Sequence, residues 1–397
     1  MGVHGKNLFI ERANLIVVAR LAALGQWIDR QAIGLIHMAV SEFPGVCSRP
    51  PCKDNEPHLE ETTMDDVGQG PGTREVPAKR LPAPTTVSPE LRRSITMLAA
   101  GGGLPLGVAP RTKDEWRAFV AANDAQSGAI NAPLAAMFPH TMTERRIAGV
   151  TVREIIPATL DAAKAGRTLI HLHGGGYVMN GGESSTSEGV LGAHYAGMRV
   201  ISVDYRMPPD HPYPAAVDDA VAVWTAVIAD RAPVSVGVFG TSAGGGLTLA
   251  MVLKLKRLGL PMPGALAPST PWSDLTGQSD SYQVNAHVDG VFSQYDGVAA
   301  GMAALYAGGT ELTDPLVSPV YGDFAGFPPT ILTTGTRDIL LSDTVRTYRA
   351  MRAAGVEARL EVHEAMSHAE YIYAFDSPES AVMFGDIAAF FDRHLLG

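Results

Sequence analysis

From about residue 145 onward, apolar positions fall into short unbroken runs separated by longer stretches in which they recur every three or four residues. The runs read as strands buried on both faces, and the stretches read as helices with one apolar side. Strands are predicted at 168–172, 199–203, 234–239, 265–268, 330–334 and 358–362. Helices are predicted at 189–195, 215–229, 243–258, 343–354 and 380–395. Segments 147–150 and 151–156 predict a hairpin around Gly149. Alternation of this kind predicts an α/β fold with a mostly parallel central sheet flanked by helices on both faces. In such sheets the chemistry gathers at the carboxyl ends of the strands.

The pattern is different before residue 145. Segments 91–98 and 113–127 predict helices, the second carrying Trp116, Phe119 and Val120 on one face. Residues 44–90 are rich in Pro, Gly and acidic side chains and read as a linker or an irregular wrap. Residues 14–36 are fairly apolar, but Arg20, Asp29 and Arg30 interrupt them. A spanning helix needs about 18 or more apolar residues, so no stable membrane insertion is expected. An amphipathic helix on the protein or on a membrane surface, or a poor signal peptide, fits this segment. The expected location is cytoplasmic, with export or membrane-surface association as the alternatives this segment leaves open.

Composition narrows the function. The 397 residues suit one large α/β domain with additions, and a net charge of -10 argues against a nucleic-acid-binding surface. The two cysteines, Cys47 and Cys52, cannot make a zinc site by themselves. They read as free thiols or, in an exported protein, a local disulfide. No other cluster has metal-ligand spacing, so no metal is expected.

The chemistry is carried by Gly240-Thr241-Ser242-Ala243-Gly244, between a predicted strand and a predicted helix. Gly-x-Ser-x-Gly in that context is a nucleophile elbow, a strained turn that lifts the serine Oγ out of the sheet. The loop His173-Gly174-Gly175-Gly176 follows the strand at 168–172 and is of the type that completes an oxyanion hole. A serine hydroxyl needs a base, and the base needs a carboxylate to orient it. Downstream of Ser242, Asp338 lies at a predicted strand's carboxyl end, whereas Asp343 reads as an N-cap or first-turn residue. His368 lies in a loop past the last strand and is preferred over His363, which closes that strand. His287 precedes Asp338, and His194 and His211 precede the serine, so they read as structural.

Taken together these residues resemble the hormone-sensitive-lipase-like esterases of the α/β-hydrolase superfamily. The stretch from Asp204-Tyr205-Arg206 through His211-Pro212-Tyr213-Pro214 to Asp218-Asp219 is close to a signature of that family. Thr270-Pro271-Trp272-Ser273-Asp274-Leu275 and Asp314-Pro315-Leu316-Val317-Ser318-Pro319 match as well, and the serine motif is of the Gly-Thr-Ser-Ala-Gly branch. The resemblance implies the α/β-hydrolase fold over residues 143–397 and an N-terminal helical cap at 80–142; the extension and linker at 1–79 is longer than the family typically needs. It implies Ser242, Asp338 and His368 as the catalytic triad. It implies an oxyanion hole from the N–H groups of Gly174, Gly175 and Ala243, and no cofactor. Tyr177 and Trp272 are expected to shape the substrate pocket. The implied partner is a small ester, hydrolysed as a short- to medium-chain substrate through an acyl-enzyme. A lactone or amide substrate is the alternative, and a non-catalytic small-molecule receptor a remote one. A homodimer is the assembly the resemblance suggests, although no interface signature stands out. Arg206, just past a strand end, is expected to pair with a carboxylate and fix its loop.

Overall fold

The computed structural model describes residues 73–78, 80–102 and 107–396. The apolar segment 14–36 and both cysteines lie outside these residues. The compact unit running from residue 79 to 397 is built on one eight-stranded sheet. Its strands are β1 (His140–Ile147), β2 (Val150–Pro157), β3 (Thr168–Leu172), β4 (Arg199–Asp204), β5 (Val236–Thr241), β6 (Ala265–Ser269), β7 (Thr330–Gly335) and β8 (Ala358–His363). Their spatial order is β1-β2-β4-β3-β5-β6-β7-β8. β2 pairs antiparallel with both β1 and β4, and every other pairing is parallel.

The helices in chain order are α1 (Pro89–Met97), α2 (Lys113–Gly128), α3 (Asn131–Met137), α4 (Ser187–Ala196), α5 (Ala215–Val227), α6 (Ala243–Leu258), α7 (Ser281–Val284), α8 (Val298–Ala307), α9 (Leu341–Ala353), α10 (Glu370–Tyr373) and α11 (Pro378–His394). α4 packs on α11 beneath one face of the sheet, and α5 packs on α6 over the other. β5, in the middle, feeds both cores. Val236 and Val238 join the cluster with Trp224, Leu247 and Leu255, while Phe239 joins the one with Leu191, Phe384 and Phe391. All six residues of β5 are buried, which is why this strand is a continuous apolar run rather than an alternating one. Caps fix several boundaries. Ser377 accepts from the Ser380 N–H ahead of Pro378, and Gly259, at φ 64°, closes α6.

Several elements depart from the pattern reading, the short helices α3, α7 and α10 among them. The strand predicted at 147–150 straddles the turn: β1 ends at Ile147, Ala148 and Gly149 turn with positive φ, and β2 begins at Val150. β1 reaches back to His140 because it is a polar edge strand, exposed along its middle, with no apolar alternation to announce it. α8 was not predicted at all. It is built largely of Ala and Gly, and it buries Met302 and Tyr306 together with small side chains that give little periodic signal.

Candidate active site

Ser242, Asp338, His368 and the glycine loop each follow the carboxyl end of a parallel strand. β5 ends at Thr241, and Ser242 follows with φ 61° and ψ -123° before α6 begins. That backbone is strained for a residue with a side chain, and it persists because its surroundings hold it. The flanking glycines explain how the turn is accommodated. A Cβ on Gly240 would lie 2.1 Å from the Leu172 carbonyl oxygen, and one on Gly244 would lie 1.9 Å from the same atom. Neither position admits any other residue.

His368 projects from the loop after β8, and Asp338 from the turn after β7. The Nε2 of His368 is 2.8 Å from the Oγ of Ser242, and its Nδ1 is 3.2 Å from Oδ1 of Asp338. All three side chains are buried. Asp338 receives further donors: the Thr334 hydroxyl at 2.9 Å, the Leu340 N–H at 2.8 Å and the Thr270 hydroxyl. Burial opposes charging of the His368 ring, but the Asp338 carboxylate and its hydrogen bond hold the pKa above the ordinary value. Asp343 sits in the first turn of α9, where it accepts from the Asp274 N–H and the Tyr282 hydroxyl. His363 closes β8 and is pushed down by burial; the ring at Ser242 is that of His368.

The glycine loop after β3 lies against the serine. A Cβ on Gly174 would be 3.4 Å from Cβ of Ser242 and 3.0 Å from the Thr241 carbonyl oxygen. Gly175 and Gly176 have φ of 109° and 61°, and a Cβ on Gly175 would run into the Met179 carbonyl at 2.3 Å. The loop is held from behind. The Tyr205 hydroxyl donates to the His173 carbonyl at 2.7 Å, and the two rings stack at 4.0 Å. Burial lowers the His173 pKa to about 4, so this ring is neutral near pH 7. Ala243, the first residue of α6, completes the set of backbone groups around Ser242.

The pocket above Ser242 has a volume of about 280 Å³ and is lined by Trp272, Phe292, Met302, Asn123 and Ile130, among others. Trp272 is therefore a wall residue. Tyr177 is not in the lining: its ring is buried and stacked on Tyr306 at 3.9 Å. Arg206 meets a carboxylate, as its position suggested. Its backbone N–H, Nε and Nη2 all donate to Asp219 in α5.

Several residues at the site carried no role that the sequence assigned. Thr270 bridges Asp338 and His368. Glu188 accepts from Thr241 and pairs with His171 directly behind the elbow. Asp289 accepts the His368 N–H. Only the fold brings these positions to the site, since each is remote in sequence from what it touches. Among the described residues no group of three or more His, Cys, Asp or Glu side chains could hold a metal ion.

A buried serine, histidine and carboxylate at strand ends, beside a glycine loop, define the site of a serine hydrolase of the α/β-hydrolase fold. The family described by that fold matches residues 169–372, and the chain belongs to it. The chain is 33% identical over 219 residues to an acetyl-hydrolase of Streptomyces hygroscopicus, covering 55% of this chain and 73% of that one. It is 31% identical over 264 residues to an esterase of Acinetobacter venetianus, covering 65% and 85%. One esterase crystal structure superposes with a TM-score of 0.78 at 37% identity, covering 82% of this chain and 99% of that one. An esterase of the bacterial hormone-sensitive lipase family superposes at 0.69 with 31% identity, covering 78% and 99%. The protein is a carboxylic ester hydrolase of the hormone-sensitive-lipase-like family. Among the described residues no helix is long and apolar enough to cross a membrane.

Proposed function

We propose that this esterase hydrolyses short- to medium-chain carboxylic esters through an acyl-enzyme on Ser242. The observation that carries the reading is the Ser242 Oγ to His368 Nε2 contact of 2.8 Å at the floor of a pocket of about 280 Å³. His368 takes the serine proton as Oγ attacks the ester carbonyl, and Asp338 holds the ring and stabilises the imidazolium. The N–H groups of Gly174, Gly175 and Ala243 receive the negative charge that develops on the carbonyl oxygen. The imidazolium then protonates the leaving alkoxide. Water, deprotonated by the same ring, attacks the acyl carbon and releases the acid and Ser242. The described residues between 80 and 139 act as a cap: Leu98, Asn123, Gln126 and Ile130 come from it and line the pocket, while 140–142, expected in the cap, belong to β1. The pocket's size favours small acyl groups, since sites for drug-sized ligands run from about 300 to 1,000 Å³.

The test is hydrolysis of p-nitrophenyl esters from acetate to palmitate by the wild type and Ser242→Ala. The expected result is a maximum at short chains and a fall in kcat of about a millionfold in a folded Ser242→Ala protein. A wild type inert on every ester, or a variant that keeps its activity, overturns the reading.

A further inference from the structure

The loop between α7 and α8 contains a carboxylate that the reaction scheme does not use. Asp289 is 2% exposed, and all its acceptor positions are directed at backbone N–H groups. Its Oδ1 accepts from Val291 at 2.8 Å and from Phe292 at 3.0 Å. Its Oδ2 accepts from Ile339 at 2.8 Å and from His368 at 3.0 Å. One oxygen thus bonds the residue next to Asp338 and the backbone of His368 itself. The same loop touches both segments again. The Asn285 side-chain amide donates to the Asp338 carbonyl at 2.8 Å, and the Gly290 N–H donates to the Ser367 hydroxyl at 3.1 Å.

We propose that Asp289 is a positioning residue for the triad, a staple that holds the turn carrying Asp338 against the loop carrying His368. The inference rests on the acyl-transfer reading above and names a residue that sets the efficiency of that same site. Neither loop is a regular element. They touch directly through the Arg337 N–H on the Met366 carbonyl at 3.1 Å and the Ala365 N–H on the Thr336 hydroxyl at 2.8 Å, and Asp289 adds the bond that reaches the backbone of His368 itself. Reaction geometry is unforgiving here: a misplacement of about 1 Å can cost 100-fold in rate. Asp289 also sets a negative charge beside the ring. Asp338 at the ring and Asp289 at the backbone of His368 both favour the imidazolium when charged. Burial and the neighbouring Asp338 raise the Asp289 carboxyl to about 7, with His368 and the donors from Ile339 and Phe292 pulling the other way.

Asp289→Asn separates the possibilities. However its amide is turned, it presents an NH2 to N–H groups that now meet an oxygen, and it carries no charge. The expected result is a fall of about 10- to 100-fold in kcat per site titrated with a fluorophosphonate, with KM within about twofold of wild type. The acidic limb of the kcat/KM profile, set by His368, should move to lower pH. A residue that merely supports the fold would lower the melting temperature while leaving kcat per titrated site and the acidic limb where they were. That outcome overturns the proposal. Should Asp289→Asn not fold, Asp289→Glu keeps the charge and the acceptors but lengthens the staple: kcat per site should fall with the limb unmoved, and a wild-type kcat overturns the proposal. Ser242→Ala run in parallel keeps the two readings apart. If it stays active the acyl-enzyme scheme fails. If it is inert while the Asp289 variants behave as wild type, only the staple fails.

Discussion

Asp338 and Asp343 lie five positions apart, and their surroundings set them different tasks. Asp338 faces the imidazole and receives two hydroxyls and an N–H. Asp343 is buried in the first turn of α9, and burial pushes its carboxyl up to about 8, so it is protonated near neutral pH. Replacing Asp338 by Asn should cost about 10,000-fold in kcat, because the ring loses the partner that selects its tautomer. Asp343→Asn should leave kcat unchanged and report in stability instead. A carboxyl raised from 3.8 to about 8 on folding contributes stability that is complete below the lower value and is lost as pH rises to the upper one. The amide does not titrate. The melting temperature of Asp343→Asn should therefore gain on that of wild type between about pH 4 and pH 8 and run parallel above. A constant difference across that range would mean the wild-type carboxyl is already charged in the fold. Ser242, Asp338 and His368 could be chosen from sequence because each follows a recognisable strand. Thr270 and Asp289 could not, because their partners lie in loops that only the tertiary fold brings near.

The elements differ in how far their own residues announce them. β3, β5 and β7 are buried along their whole length, and short runs of apolar and β-branched residues mark them. β1 pairs with β2 over eight residues through backbone bonds, with charged side chains such as Glu144, Arg145 and Arg146 turned to solvent, so nothing in its pattern demands a strand. The segment between β4 and α5 is legible for another reason. Its turn chemistry, rich in Pro, ends at Arg206 and Asp219, which tie the strand's exit to the helix that covers it. Half of the Arg206 side chain is exposed while Asp219 is buried, so water tempers the pair. Arg206→Ala should lower stability by about 1 kcal/mol, since it strips a buried carboxylate of its charged donor but leaves the Arg206 N–H bond in place. Thermal melting reads this, and kcat should hold, because Asp219 does not touch the triad.

Across the whole molecule, the proposed function draws chemistry and selection from different parts of the chain. The family match, residues 169–372, contains Ser242, Asp338, His368 and the glycine loop. Part of the pocket's wall comes from residues that precede it: Leu98, Asn123, Gln126, Ser127 and Ile130. α2 is anchored to the core by Asp124, which accepts the Asn180 N–H at 2.5 Å, and by the Arg117 pair with Asp210. The wall can thus change composition while the strand ends that hold the triad stay fixed. This arrangement predicts a separation that can be measured. Ile130→Trp fills space on the wall without touching Ser242, His368 or Asp338. It should lower the longest acyl chain accepted in the p-nitrophenyl series. It should leave acetate turnover and the rate of Ser242 labelling by a small fluorophosphonate close to wild type. If acetate turnover and labelling fall together with the long chains, residue 130 acts on the triad itself, and the division between wall and machinery is wrong.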